Sequence, residues 1–147
     1  MFKHILIPTD GSPASARAVR AGLAFAKKNG ARVTGYHCAD PVREVYAGEG
    51  YLPDRRIIAE LERRSRAASA RLLAGMERAA RKAKVPFRPL LETGTAPYRA
   101  IAEAAARRRC DLIFIGTQGL TGFARLALGS VAERVARLSK VSVLIYR

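Results

Sequence analysis

The chain has 147 residues, a length typical of one domain that buries about 70% of its unfolded surface without disulfides or metals. Its 27 lysines and arginines exceed its 12 acidic residues, and the net charge of +15 favours polyanionic partners such as nucleotides, nucleic acid or anionic lipid. The two cysteines, Cys38 and Cys110, stand apart, so no zinc or redox motif is indicated. No window approaches the roughly 20 apolar residues of a membrane span and no secretion signal is visible, so we expect a soluble cytoplasmic protein without a membrane partner.

Apolar runs and helical patterns alternate from the beginning of the chain. Residues 3–7 predict a first strand, and the Ser12-Pro13 pair that follows is typical of a helix start. This helix is predicted to end at Asn29-Gly30, because glycine readily adopts the left-handed conformation that terminates helices. The residues expected on its buried face are Val19, Gly22, Leu23 and Ala26.

The second strand is predicted over residues 32–38, and the segment after it has no clear period. Residues 40–52 contain one proline and two glycines, and we interpret them as a mobile excursion. Pro53 then opens a helical pattern of about 30 residues, which would be about 45 Å long, so a bend or break is expected near Gly75. The stripe expected to face the sheet consists of Ile58, Leu61, Ser65, Ala68, Leu72, Met76, Ala79 and Ala83.

Three more strands and two more helices complete the pattern. The strands are predicted at residues 87–92, 112–115 and 141–146. One helix begins after Gly94-Thr95, with Tyr98, Ile101, Ala102 and Ala105 inward, and the last helix begins at Ser130. This order predicts an α/β fold, a single doubly wound domain over residues 1–147 with a five-stranded parallel sheet and helices on both faces.

In such a sheet, ligands bind beyond the carboxyl ends of the strands, where the winding direction reverses. Residues 8–10, 37–40 and 116–130 are therefore the candidate segments. The last of them leaves a buried strand, contains several glycines and enters a helix, an arrangement whose backbone N–H groups attract anions. Two interpretations stay open: a phosphate-binding loop, or a flexible loop closed by the capping box that runs from Ser130 to Glu133.

Two standard nucleotide motifs, GxxxxGK[ST] and a GxGxxG after the first strand, are absent from the sequence. The spacing that is present is Gly-x-x-Gly, nine residues, then Gly-Ser, carried by Gly116, Gly119, Gly129 and Ser130. This loop resembles that of the ATP-binding branch of the universal stress protein family. Residues 5–12 resemble the family's first strand and turn, residues 129–135 resemble its last helix, and the similarity covers the whole chain.

The resemblance implies a cytoplasmic, stress-response regulatory protein that binds ATP or another adenine nucleotide. Asp10 matches the family's first-turn aspartate near the adenine and ribose, although a turn residue satisfying local backbone donors remains an alternative. Cys38 falls where the family packs against adenine, a place that another small apolar residue would fill equally well. The full candidate set is Pro8, Thr9, Asp10, Cys38, Ile115, Gly116, Gly119, Gly129, Ser130 and Val131.

We assign no catalytic residues and expect slow or no hydrolysis of ATP. Between Gly116 and Gly129 the loop has no lysine or acidic residue, and its one cation, Arg125, has two interpretations: a contact to phosphates, or the favoured one, a solvated arginine. A weak ATPase is one alternative. A nucleic-acid-associated basic protein is another, and it is less favoured because no zinc-finger or RNP motif occurs and no stacking aromatics are interleaved with the basic runs.

We expect Mg²⁺ or Mn²⁺ to accompany the triphosphate, held through phosphates and water, because the loop supplies hydroxyls but no carboxylate. We also expect a homodimer through the C-terminal strand, whose free edge a two-fold pairing would cover. Two departures from the family pattern bear on these expectations. Residues 141–143 replace the Cys-Pro-Val-like opening of the last strand, and Gln118 replaces the common loop histidine.

Overall fold

The computed structural model of the chain describes residues 1–48, 50, 53–117 and 129–147. The strands are β1 His4–Pro8, β2 Arg32–Ala39, β3 Phe87–Thr93, β4 Leu112–Gly116 and β5 Ser142–Tyr146. The helices are α1 Pro13–Asn29, α2 Val42–Gly48, α3 Arg55–Ala83, α4 Pro97–Arg107 and α5 Ser130–Leu138. The five strands form one parallel sheet in the order β3-β2-β1-β4-β5, which confirms the predicted α/β class.

Two apolar cores lie on opposite faces of the sheet, because successive strand residues point to opposite faces. In β1, Ile5 and Ile7 join the core that contains residues of α1 and α3. Leu6, between them, joins the core that contains residues of α4 and α5. Every residue of β1 is buried, as expected for a central strand covered on both sides.

The first helix follows the sequence prediction at both ends. The Ser12 hydroxyl accepts a hydrogen bond from the Ser15 N–H at 3.1 Å, and Pro13 is the first helical residue. Gly30 ends the helix with φ of 61°, in the left-handed region. The four residues predicted to face inward, Val19, Gly22, Leu23 and Ala26, are all buried.

In the segment interpreted as a mobile excursion, residues 42–48 form the helix α2, which the sequence did not predict, and residues 49, 51 and 52 lie outside the described residues. This helix has seven residues, about two turns, which is too short for a hydrophobic period to show in the sequence. The long helix also differs from the prediction. Asp54, not Pro53, caps α3, and the helix is continuous through Gly75, where it packs along the sheet.

The buried stripe of α3 is displaced by one residue from the predicted one in the middle of the helix. Ile58 and Met76 are buried as predicted, but Ala68 is exposed and Ser69 is buried in its place. Leu72 is half-buried because it packs under the β1–α1 turn, where a Cβ on Gly11 would lie 3.6 Å from it. An alanine-rich helix offers several similar faces, so the sequence alone did not fix this rotation. None of the described helices is long and apolar enough to cross a membrane.

A buried polar cluster lies at the amino edge of the sheet, opposite the candidate binding edge. His4 is 8% exposed. Its Nε2 lies 2.8 Å from the Thr34 hydroxyl, and its Nδ1 lies 3.2 Å from the Arg32 guanidinium. Because a guanidinium can only donate, Nδ1 accepts and Nε2–H donates to Thr34. Burial, and then the nearby Arg32 charge, lower the pKa of His4 from 6.5.

We expect this cluster to make stability depend on pH. The unfolded chain binds a proton at His4 more readily than the folded chain, so stability falls as the pH drops through about 6.5. His4→Gln keeps a hydrogen-bonding side chain but removes the titration, and its melting temperature should fall less between pH 7.5 and pH 5.5. Thermal melts of both proteins across this range measure the difference, and parallel curves would contradict the assignment.

Candidate functional site

A cavity of about 340 Å³ opens at the carboxyl edge of the sheet, above β1, β2 and β4 and beside the starts of α4 and α5. The chain proceeds from β1 to β2 and β3 on one side, and β4 and β5 lie on the other. The cavity therefore lies at the reversal point where doubly wound sheets bind ligands. Its lining consists of Pro8, Thr9, Asp10, Ser15, Tyr36, Cys38, Asp40, Pro97, Ile101, Ile115, Gly116, Thr117, Gly129, Ser130, Val131 and Ala132.

The structure brings together nine of the ten candidate residues from the sequence. Pro8, Thr9, Asp10, Cys38, Ile115, Gly116, Gly129, Ser130 and Val131 all line this one cavity. The tenth, Gly119, lies outside the described residues, as do Gln118, Thr121 and Arg125. Sequence reasoning missed Tyr36, which the two-residue period of β2 places on the same face as Cys38. It also missed Pro97 and Ile101, which lie one turn apart at the start of α4.

The turn after β1 presents Asp10 to the cavity. The Asp10 Oδ1 accepts a hydrogen bond from the Ser12 N–H at 2.9 Å, so the residue also has the local turn role proposed as its alternative. Gly11 adopts φ of 81°, and its N–H donates to the Thr9 hydroxyl at 3.2 Å. Burial opposes ionisation of Asp10, but the hydrogen bonds from Ser12 and Ser15 outweigh it and lower its pKa below 3.8. The cavity therefore has a fixed negative charge at this side at neutral pH.

A histidine braces the same turn from the other face of the sheet. The His37 Nδ1 lies 2.8 Å from the Thr9 carbonyl oxygen. A carbonyl only accepts, so Nδ1 carries the hydrogen and donates it. The Thr9 N–H donates to the Tyr36 carbonyl at 2.9 Å, so the turn is tied to β2 at two points.

The backbone of Cys38 has hydrogen-bonding groups that the sheet does not use. In a parallel sheet, alternate residues direct both backbone groups to the same neighbouring strand. Tyr36 faces β1, as its bond with Thr9 shows, and Ala39 faces β3, because its carbonyl accepts from the Gly94 N–H at 3.1 Å. Cys38 therefore directs its N–H and C=O to the β1 side, beyond Pro8, and neither finds a partner in the described part of the chain.

The side chain of Cys38 is an unreactive thiol. Its thiol lies 3.7 Å from the Gly94 carbonyl oxygen, to which it donates. Burial raises the pKa of this thiol, so it remains protonated at neutral pH. The backbone, rather than the sulfur, is therefore the part of Cys38 able to recognise a ligand.

The start of α5 lines the opposite side of the cavity. The N-cap is Gly129, with φ of −56° and ψ of 138°, and no side chain caps the helix among the residues the structure describes. The capping-box alternative for Ser130 is not formed in the structure, because Ser130 is already the first helical residue. Glu133 is the first residue of this helix whose N–H reaches a helix carbonyl, that of Gly129 at 2.9 Å. The N–H groups before it have no partner among the described residues, and the positive end of the helix favours an anion there.

This geometry separates two roles that the sequence assigned to Ser130. Ser130→Ala removes a hydroxyl at the cavity but no helix cap, so we expect the melting temperature to stay within about 1 °C of the parent. The lost hydrogen bond should weaken ATP binding by about 1 kcal/mol, or about fivefold. Thermal melts and calorimetric titration measure the two effects separately. A clear loss of stability would show that Ser130 caps α5 in solution.

The cavity wall between these two sides is largely apolar. Pro8, Ile101 and Ile115 line it, and Tyr36, which is 1% exposed, lies among them. Asp10 and Asp40 are the acidic residues that line it, and the described residues contain no group of three or more His, Cys, Asp or Glu side chains able to hold a metal. The donor set therefore fits a flat apolar group with an anionic tail better than it fits a metal cage.

Comparisons with known proteins agree with this architecture. The model of the universal stress protein family matches residues 1–147. A Thermus aquaticus protein, the universal stress protein in the QAH/OAS sulfhydrylase 3′ region, is 34% identical over 148 residues and aligns over 100% of both chains.

Solved structures also superpose on nearly the whole chain. The hypothetical protein MJ0577 superposes with a TM-score of 0.81 at 26% identity, covering 99% of this chain and 95% of that one. A universal stress protein in complex with cAMP superposes with a TM-score of 0.70 at 26% identity, covering 99% and 97%. From the match over its whole length, the chain belongs to the universal stress protein family.

Proposed function

We propose that this protein binds an adenine nucleotide, with ATP as the leading candidate, in the cavity at the carboxyl edge of the sheet. It would then act as a stress-response regulator whose state depends on nucleotide. One observation carries the proposal: the cavity is lined by Cys38, whose backbone N–H and C=O have no partner among the described residues, and by the start of α5, whose first N–H groups have none there either.

The Cys38 side of the cavity matches the edge of adenine. Adenine presents an acceptor at N1 beside a donor at its 6-amino group, so one residue's N–H and C=O can bind both. Guanine and hypoxanthine carry the opposite pair, an N–H at position 1 and an oxygen at position 6. The apolar wall formed by Pro8, Ile101 and Ile115 suits the faces of the ring.

The α5 side of the cavity matches phosphate. Gly129 lets the backbone approach the ligand closely, and the first-turn N–H groups, which have no partner among the described residues, donate to anionic oxygens. Gly116 also lines the cavity, but a Cβ on it would face Ala18 of α1 at 3.1 Å, so its lack of a side chain serves the packing of α1. The Ser130 hydroxyl and the Thr117 side chain lie on the same lining. The related universal stress protein solved with cAMP supports an adenine nucleotide as the class of ligand.

We propose that Mg²⁺ or Mn²⁺ enters with the triphosphate and is held by phosphates and water. Asp10 and Asp40 line the cavity, but one oxygen of Asp10 already accepts the Ser12 N–H. Such ions commonly keep several waters and few protein ligands. Tight metal binding by nucleotide-free protein would contradict this part of the proposal.

We propose that hydrolysis is slow or absent. Neither histidine is placed to activate water in the cavity, because His37 binds the Thr9 carbonyl and His4 lies at the opposite edge of the sheet. The weak-ATPase alternative rests on Arg125, which lies outside the described residues. A single-turnover assay with excess purified protein and labelled ATP distinguishes the two. Conversion within minutes would favour the ATPase.

Thermal melts with added nucleotide test the proposal as a whole. Ligand at a hundred times its Kd stabilises the folded state by about 2.7 kcal/mol. For a chain of 147 residues this corresponds to a rise of about 8 °C in Tm. We expect ATP to produce such a rise. An unchanged Tm at millimolar ATP would contradict the proposal.

We also propose that the protein is a homodimer that pairs through β5. This strand is at the edge of the sheet, and its residues are half-buried or exposed, including Tyr146 at 38%. Leu138, at the end of α5, is 53% exposed nearby in the chain and would gain from burial. Light scattering should give twice the mass of the chain, and a monomer at high micromolar concentration would disprove the dimer.

A further inference from the structure

The positive charge of the chain is concentrated on α3 and its end. Residues 55–84 contain ten of the 27 basic residues and three of the 12 acidic ones, a net charge of +7 out of +15. These 30 residues are about a fifth of the chain and carry nearly half of its net charge. The net charge is therefore concentrated on this helix and is not spread evenly along the chain.

Four of these side chains form a row on the exposed face of α3, which we call the basic ridge: Arg64, Arg71, Arg78 and Lys82. The first three recur every seven residues, about 10.5 Å apart along the axis, and Lys82 follows one turn later. All four are exposed. They lie on the side of the helix opposite Ser69, Met76 and Ala80, which are buried against the domain.

Most of the ridge is not neutralised by acidic neighbours. Arg64 pairs with Glu60 at 2.6 Å, but this arginine side chain remains 72% exposed. Within the described residues, Arg71, Arg78 and Lys82 make no ion pair. Their charges are therefore available to a partner.

Small residues separate the charged ones along the ridge. Ala67 and Ala68 lie between the first two arginines, and Ala74 and Gly75 lie between the next two. The Arg78 Nη2 lies 3.7 Å from the position of a Cβ on Gly75, so this guanidinium extends over the small residues. Because only small residues lie between them, no bulky side chain keeps a rigid anionic backbone from contacting successive guanidinium groups.

We propose that the basic ridge is a docking surface for the phosphate backbone of double-stranded nucleic acid, separate from the nucleotide cavity. The ridge is straight and about 27 Å long from Arg64 to Lys82, the length of about eight base pairs. Arginine suits phosphate because its planar guanidinium can donate two parallel hydrogen bonds. No sequence motif is needed for such contacts, because phosphate contacts position a protein without reading bases.

Two other polyanionic partners fit the ridge less well. Single-stranded nucleic acid is usually held by stacking on aromatic rings, and α3 contains no aromatic residue. A membrane-surface helix inserts its apolar face among lipids, but here Leu73 and Met76 on that face are already buried in the core. The backbone of a duplex can bind without aromatic stacking and without an exposed apolar helix face.

The test compares two triple variants that remove the same charge. The ridge variant is Arg71→Gln, Arg78→Gln and Lys82→Gln. The control variant is Arg88→Gln, Arg108→Gln and Lys140→Gln, three exposed residues outside α3. Fluorescence anisotropy with 20-base-pair duplexes of two unrelated sequences gives the affinity at several salt concentrations, and thermal melts confirm that each variant is folded.

We expect the parent to bind both duplexes within about twofold of each other and the ridge variant to bind at least tenfold more weakly. Removing three phosphate contacts should also reduce the slope of log K against log salt by about 3. Equal losses in both variants, or no binding by the parent, would overturn the proposal. Stronger binding to vesicles with one part phosphatidylserine in four would overturn it in favour of a membrane. The proposal does not depend on the nucleotide cavity. We therefore expect the ridge variant to bind ATP with the same affinity as the parent.

Discussion

Gly129→Val should weaken ATP binding by about a hundredfold or more and leave the fold intact. Gly129 lines the cavity immediately before α5, so a branched side chain there would occupy space that the phosphates need. Charge-assisted hydrogen bonds are worth about 1.5–3 kcal/mol each, and losing two reaches a hundredfold. The φ of Gly129 is −56°, which valine tolerates, so the loss comes from bulk and not from backbone strain. Calorimetric titration with ATP and thermal melts measure the two quantities.

A glycine far from the cavity provides the control for this variant. Gly75→Ala, in the interior of α3, should leave ATP affinity unchanged and raise stability by about 0.5–1 kcal/mol, because glycine is a poor helix former. Gly119→Val should resemble Gly129→Val if the loop binds phosphate as the family resemblance implies. If Gly129→Val binds ATP as the parent does, the α5 side of the cavity is not the phosphate site.

ATP should bind about a hundredfold more tightly than inosine triphosphate. The two differ only at positions 1 and 6 of the base, where inosine carries an N–H and an oxygen. These groups would face the N–H and C=O of Cys38 donor to donor and acceptor to acceptor. Each buried group left without a partner costs about 1–3 kcal/mol, so two cost enough for a hundredfold difference. Competition of both nucleotides against a fluorescent ATP analogue measures the ratio.

The side chain at position 38 provides the matching control. Cys38→Ser and Cys38→Ala keep the backbone groups that are proposed to read the base, so both variants should keep the preference for ATP. A preference that disappears with the thiol would mean that the sulfur reads the base. Equal affinity of the parent for ATP and inosine triphosphate would mean that the base lies elsewhere or is not recognised.

The sheet could be predicted from the sequence because its strands are short apolar runs between clear turn signals. Residues 112–115 are buried on both faces in the structure, as their unbroken apolar character indicated. The start of α1 was equally predictable, because Ser12 and Pro13 define it locally. Such features depend on residues that are adjacent in the chain, so the sequence alone is enough to predict them.

Features set by tertiary packing were not predictable in the same way. The face of α3 that turns inward depends on contacts with the sheet, and alanines on several faces left Ala68 and Ser69 as equal candidates. The helix α2 is too short to show a period. Ser130 fits the sequence of a capping box, but the chain begins its helix one residue earlier than that motif requires.

The candidate site was predicted largely from family resemblance. Its geometry adds the roles of backbone groups and the residues of the cavity wall. The family resemblance implied that the Cys38 side chain lies near the base, whereas strand alternation indicates that its backbone groups are the ones without a partner among the described residues. Tyr36 and Ile101 appear beside it only once β2 and α4 are packed on the same face. Neither has a sequence signal that separates a cavity wall from an ordinary core.

A nuclear magnetic resonance titration of the ¹⁵N-labelled protein with ATP and Mg²⁺ tests most directly whether an adenine nucleotide occupies the cavity. It reports on each backbone amide separately, so it locates the two ends of the nucleotide. We expect the largest shifts at the amide of Cys38 and at those of Ser130 and Val131, and we expect them to saturate at one nucleotide per chain. Shifts confined to the exposed arginines of α3, or no saturable shifts at millimolar ATP, would contradict it.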